Sequence, residues 1–147
     1  VARLAGRRRG ERGVLLPLLH DLQEELGLID DATVAAVAHE LNLSRAEVHG
    51  VVGFYHDFRR APAGRHVVKL CRAESCQSRG GAAIEAALAA RLAVAMGATR
   101  TDGQVTLEPI YCLGLCAIVP NALVDGDPVA RIDGDAAIER IAAKVAA

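Results

Sequence analysis

Four cysteines, and only four, stand in two pairs: Cys71 and Cys76 in LCRAESC, and Cys112 and Cys116 in YCLGLC. Each pair comes directly after a short β-rich run, residues 66–70 for the first and 105–111 for the second. Both pairs therefore fall in loops at strand ends, where function is commonly carried. If the two strands are neighbours, all four sulfurs converge at one edge of a sheet. If they are not, no single cofactor can join the pairs.

The hydrophobic period changes partway along the chain. Over 14–27, Leu15, Leu18, Leu19, Leu22 and Leu26 recur at helical spacing, with Glu24 and Glu25 on the other face and Pro17 in the first turn. A second helix is predicted to start at Asp30 or Asp31 and to bury Val34, Val37, Ala38 and Leu41. Ser44 and Glu47 form a capping-box pattern that opens a third, through Val48, Val51 and Val52. The stretch RRAPAGR, 59–65, reads as a linker. Beyond it, 66–70 reads as a strand, 81–96 as an Ala-rich helix stopped by Gly97, and 105–111 as a strand. Residues 122–124 and 129–132 flank an Asp-Gly-Asp-Pro hairpin connection, and 135–145 is a last helix capped by Asp133 or Asp135. Strand, helix, strand, hairpin, helix is the order of a thioredoxin-like layer with a mixed sheet, so the fold class is α/β. The expected division is a basic tail at 1–13, a three-helix appendage at 14–58, the linker at 59–65 and the thioredoxin-like domain at 66–147.

A chain of 147 residues suffices for one compact domain, or a small one with an appendage. Apolar residues make up 52% and aromatics 3%, so the core is built from Ala, Val, Leu and Ile. A net charge of -1 gives no electrostatic reason to expect nucleic acid. Arg3, Arg7, Arg8, Arg9 and Arg12 crowd the start and raise the question of a twin-arginine export signal. The apolar run VLLPLL behind them is met at once by His20, Asp21, Glu24 and Glu25, so export is not expected. A solvated, partly disordered tail or a docking arm for an acidic partner is. No apolar run approaches the ~20 residues of a membrane helix. A soluble, cytoplasmic protein with reduced thiols is the expectation.

Several chemistries compete for the thiols. Disulfides find no support in the composition. Thiol exchange calls for C-x-x-C at a helix start, which neither pair offers. Zinc favours C-x2-C knuckles, and the C-x4-C and C-x3-C spacings suit it poorly without excluding it. A 2Fe-2S cluster needs two thiolates on each iron, with loops long enough to wrap the sulfides and donate N–H groups. Gly80, Gly81 and Gly114 permit that approach. Such a cluster with four thiolates is dianionic when oxidised and gains a further charge on reduction. Arg72, Arg79 and a helix N-terminus beyond Ser78 would soften that charge, or the two arginines are plain surface.

The runs HDLQEELGLID, LNLSRAEVHGVVGFYHDFR, LCRAESC and CLGLCAIVPNALVDG resemble the thioredoxin-like 2Fe-2S subunit of complex I, NAD-linked hydrogenases and formate dehydrogenases. The similarity runs from Val14 onward, and CRAESCQ is most similar to the gamma subunit of NAD-dependent molybdenum formate dehydrogenases. The resemblance implies that Cys71, Cys76, Cys112 and Cys116 ligate one 2Fe-2S cluster, each pair holding one iron. It implies a flavin- and NAD-binding iron–sulfur partner subunit and, through the complex, a molybdenum-containing catalytic subunit. FMN, NAD and the molybdenum cofactor are then expected only on those partners. This chain carries no G-x-G-x-x-G fingerprint and no catalytic site of its own.

His49, His56 and His66 read as packing or surface residues, since four thiols complete the coordination. Phe54, Tyr55 and Phe58 suit a subunit-contact anchor or a cover for the junction between appendage and domain. Leu113, Leu115, Ile118 and Val119 are expected to be partly buried, at least two of them in the core. By analogy with the cis-proline of thioredoxins, Val119–Pro120 is expected to be cis.

Overall fold

The computed structural model describes residues 1–146. The chain divides into two compact units, Val1–Pro62 and Ala63–Ala147, with the boundary inside the proline- and glycine-bearing stretch 59–65.

The first unit contains α1 (Ala2–Arg7), α2 (Leu15–Leu26), α3 (Asp31–Leu41) and α4 (Arg45–Phe54). Polar caps fix the starts of α3 and α4. Asp30 accepts the Thr33 N–H at 2.7 Å, while Ser44 and Glu47 close a reciprocal capping box. Leu18, Leu19, Leu22, Ile29, Val37 and Val48 are fully buried in the core of this unit. Behind α4, the Gln23 side chain donates to Asp57 O (2.7 Å) and accepts from the Arg59 N–H (2.6 Å), which tethers the segment carrying Phe58.

The start of the chain corrects the expectation of a loose basic tail. Residues 2–7 are helical, Leu4 is buried in the same core, and α1 packs on α2 and α3. Two of the arginines are answered by acids of α2: Arg8 Nε lies 2.6 Å from Asp21, and Arg3 pairs with Glu25. The appendage thus has four helices rather than three. Charge density alone reads as solvation because the partners come from another element.

The second unit contains β1 (His66–Cys71), α5 (Glu74–Ser78), α6 (Gly81–Leu92), β2 (Ala98–Thr99), β3 (Val105–Ile110), a 3-10 turn (Cys116–Ile118), β4 (Ala122–Val124), β5 (Asp127–Val129) and α7 (Asp135–Lys144). The five strands form one mixed sheet in the order β2-β3-β1-β4-β5. β1 and β3 are parallel, with Leu70 opposite Pro109 and Cys71 opposite Ile110, and β4 runs antiparallel to β1 with Ala122 opposite Leu70. Val68, Leu70, Val105 and Leu107 bury against Ile84, Leu88 and Leu92 of α6 and Ile138 and Ile141 of α7. Each such side chain contributes about 1.5–3 kcal/mol by leaving water. The architecture is the expected α/β, thioredoxin-like mixed sheet with helices.

Three boundaries differ from the sequence reading. α6 stops at Leu92, where Ala93 turns left-handed (φ 53°), and the freed segment supplies the two-residue strand β2. The hairpin turn is Asp125–Gly126, both at positive φ (53° and 90°), so Asp127 and Pro128 belong to β5. That is a two-residue turn with the twist that suits a hairpin, and Pro128 is tolerated because β5 is an edge strand. α7 is preceded by Gly134 with no side-chain cap, and Asp135 sits in its first turn instead. Val119–Pro120 is cis, as expected. No helix among the described residues is long and apolar enough to cross a membrane.

Candidate metal centre

Parallel pairing of β1 with β3 sends both strand ends to the same edge of the sheet, and each end delivers a cysteine pair there. Cys71 is the last residue of β1, and Cys76 lies in α5; both are buried. Cys112 follows β3, and Cys116 opens the 3-10 turn; both are exposed. All four are free thiols.

The two loops are tied by backbone hydrogen bonds: the Cys71 N–H donates to Asn121 O (3.0 Å) and the Arg72 N–H to Ile110 O (2.8 Å). The backbone N–H groups of Ala73, Cys112 and Leu113 act on the Cys71 sulfur and favour its thiolate. The backbone at Asn121 acts on Cys76 in the same sense. Gly114 N lies 3.3 Å from Cys112 Sγ. Cys112 itself has φ 75°, a left-handed conformation uncommon for a residue with a side chain.

Within each pair, one thiol shares its proton with the other sulfur. The Cys112 and Cys116 sulfurs are 3.6 Å apart. Two thiolates on one tetrahedral metal, at bonds of about 2.3 Å, would stand about 3.8 Å apart. Burial pushes the Cys71 thiol up, but the three N–H donors and the Cys76 thiol outweigh it, so Cys71 ionises below the usual thiol range. Cys76 is pushed up to about 11, first by burial and then by donating to Cys71. Cys116 is also pushed up, by its hydrogen bond to Cys112 and the charge there, with Ser75 acting in the opposite sense. A metal at either pair takes the place of the shared proton. Among the described residues no three His, Cys, Asp or Glu side chains gather at one metal-ion position. The donors are grouped as two pairs rather than one tetrahedron.

Asn121 braces this arrangement. It is buried, its carbonyl accepts the Cys71 N–H (3.0 Å), and its Nδ2 donates to Leu115 O (3.1 Å), just before Cys116. Gly81 does so from the other side, because a Cβ there would lie 2.9 Å from Cys76 O. Leu113, Leu115, Ile118 and Val119 are half-buried, and none belongs to the core cluster. This corrects the expectation that at least two pack in the core. Arg72 Nε stands 2.9 Å from Glu85, so its charge is already answered, and Arg79 is exposed at the end of α5. His49 and His56 are exposed, and His66 Nδ1 pairs with Asp125 at 2.7 Å. Phe58 is buried and stacks near His20 (4.8 Å), whereas Phe54 (73%) and Tyr55 (41%) are exposed.

Asn121 escaped the sequence reading. A lone amide heading the apolar run ALV was the only available signal for Asn121.

The profile of the family described as "Thioredoxin-like [2Fe-2S] ferredoxin" matches residues 1–145. The chain belongs to that family. It is 35% identical over 125 residues to a subunit of the NADH-quinone oxidoreductase of Escherichia coli strain K12, covering 85% of this chain and 75% of that protein. It is 38% identical over 122 residues to the NADH-quinone oxidoreductase subunit of the same name from Mycobacterium tuberculosis, covering 83% and 48%. Among solved structures it superposes on the NAD+-reducing [NiFe]-hydrogenase in the air-oxidized state with a TM-score of 0.75 and 27% identity. That match covers 90% of this chain and 23% of the hydrogenase chain. The thioredoxin-like 2Fe-2S family is one whose domain binds a 2Fe-2S cluster, and the donor set here fits that group. It offers four thiols in two pairs, one pair at the spacing of a shared metal, with the Gly114 N–H donating to Cys112.

Proposed function

We propose that Cys71, Cys76, Cys112 and Cys116 hold one 2Fe-2S cluster, the first two on one iron and the last two on the other. The chain then serves as an electron-transfer subunit of an NAD-linked oxidoreductase. The observation that supports this best is the pairing of β1 with β3, which brings both cysteine pairs to one sheet edge, where Asn121 bonds both the Cys71 N–H and the Leu115 carbonyl before Cys116. Bound there, the cluster supplies uptake and release of one electron at a time.

The chain's own residues supply the surroundings. N–H groups aimed at the sulfurs stabilise negative charge without needing to reorganise. The buried Cys71 and Cys76 side keeps water away, while the exposed Cys112 and Cys116 side faces outward toward an electron partner. Neither a dinucleotide fingerprint nor a further cysteine pair is present in this sequence. FMN and NAD are therefore assigned to a flavin- and NAD-binding iron–sulfur partner subunit, in the cytoplasm.

For the parent complex we propose an NAD-dependent formate dehydrogenase with a molybdenum-containing catalytic subunit; this narrower reading rests on the run CRAESCQ. The second reading is the equivalent subunit of an NADH-quinone oxidoreductase or NAD-reducing hydrogenase, which the names of the relatives favour. The test is affinity purification of the tagged chain from native extract under anaerobic conditions. Co-purification of flavin, molybdenum and formate-dependent NAD reduction is expected. Recovery with quinone reductase or hydrogenase activity overturns the formate assignment, and recovery of the chain alone overturns the subunit reading.

A further inference from the structure

We propose that Asn121 is a positioning residue for the outer cysteine pair, its side chain holding Cys112 and Cys116 closed on their iron by donating a hydrogen bond to the Leu115 carbonyl. This rests on the ligand assignment above and goes beyond it by giving the two pairs different supports. Cys71 and Cys76 are buried, one at the end of β1 and the other within α5. Cys112 and Cys116 lie in an exposed segment anchored near its ends, where the Arg72 N–H donates to Ile110 O (2.8 Å) and the Arg131 N–H donates to Ile118 O (3.1 Å). Between those anchors Asn121 Nδ2 reaches Leu115 O at 3.1 Å, one residue before Cys116. The Asn121 main-chain carbonyl accepts the Cys71 N–H (3.0 Å), so the amide extends from a point fixed to the inner pair.

Hydrogen-bond accounting separates this task from simple bracing of the fold. A carbonyl oxygen can only accept, so the amide must turn its NH2 group toward Leu115 O, which leaves Oδ1 buried with no partner among the described residues. A buried acceptor left without a donor costs as much as an ordinary hydrogen bond returns, or more. Leu115 O, by contrast, also accepts the Ile118 N–H (3.0 Å) and is not orphaned by loss of the amide. An apolar side chain of similar size at position 121 therefore serves the fold as well as asparagine does. What it forfeits is the link from Leu115 to the Cys71 strand, and with it the fixed spacing of the outer sulfurs, 3.6 Å.

The experiment is anaerobic transfer of iron from the dithionite-reduced full-length chain to the ferrous chelator bathophenanthroline, followed by absorbance. Far-ultraviolet circular dichroism checks folding, and electron paramagnetic resonance gives the linewidth of the reduced chain. Asn121→Leu, which keeps the volume and removes the donor, is expected to fold like wild type, to show broadened lines and to release iron about tenfold faster, the scale on which outer-sphere partners act on metal affinity. Val124→Ala, which opens a cavity in the same strand and core but keeps the amide, should release iron at the wild-type rate. Either readout at its wild-type value in Asn121→Leu overturns the proposal, since the side chain would then act by volume alone. Equal acceleration in Val124→Ala overturns it too, because general loss of stability would suffice to free the iron. So does a misfolded Asn121→Leu, which would make the amide a requirement of the fold. A wild-type chain without labile sulfide would instead sink the ligand assignment, an outcome distinct from these.

Discussion

Gly81→Ala and Gly53→Ala are the same chemical change at two helical positions, and the structure predicts opposite signs. Gly53 lies inside α4 with nothing within 4 Å of a would-be Cβ and an ordinary backbone conformation. Alanine there should stabilise by about 0.5–1 kcal/mol, since glycine loses more freedom on folding. At Gly81 the added Cβ would sit 2.9 Å from Cys76 O and 3.2 Å from Cys76 C, both main-chain atoms. An ordinary contact is about 3.5 Å, so α6 or the Cys76 loop must shift by roughly half an ångström. Overpacking of this kind costs about 1–3 kcal/mol, against a propensity gain of up to about 1 kcal/mol. A net loss of about 1–2 kcal/mol follows, or a Tm lower by about 4–16 °C for a unit of this size. Thermal unfolding by circular dichroism under reducing conditions reads both variants. A Tm that rises in Gly81→Ala as it does in Gly53→Ala would refute the claim that this glycine is required by the Cys76 carbonyl.

Leu4→Ala should destabilise the first unit by about 2–4 kcal/mol in urea titration, because Leu4 is only 6% exposed; a change near zero would restore the loose-tail reading. Asp125 is held below the usual carboxylate range: burial alone would raise it, but the His66 ring and the Val67 N–H outweigh that. Its stabilisation is therefore present above about pH 4, the unfolded value, and drains away as pH falls through the lower folded one. Asp125→Asn, which tolerates the φ of 53° here, should flatten the acid limb of the stability–pH curve, and superimposable limbs would contradict it. Cys112→Ser should lose iron and lower Tm together, since metal binding contributes folding free energy; unchanged iron content removes Cys112 from the ligand set.

Local signals were legible where chemistry is local. The capping box at Ser44, the Asp30 cap and the β-rich runs before each cysteine pair all read correctly, because propensity and hydrogen bonding within a few residues decide them. The convergence of the four sulfurs was legible only as a condition on strand adjacency, which β1–β3 pairing meets. What stayed hidden depends on distant partners. α1 is held by Leu4 and by acids in α2, and β2 exists only because Ala93 ends α6 early. The half-buried rim of Leu113, Leu115, Ile118 and Val119 reads as core by hydrophobicity alone. Asn121 matters through contacts across the sheet edge that no sequence period encodes.

The most direct measurement is quantification of iron, acid-labile sulfide and zinc per chain in anaerobically purified protein, with the spin count after full reduction. Two sulfur-bridged irons shared between the loops predict equal iron and sulfide, two of each, and one unpaired electron per chain. A colourless protein carrying one zinc, or iron without labile sulfide, would contradict the account.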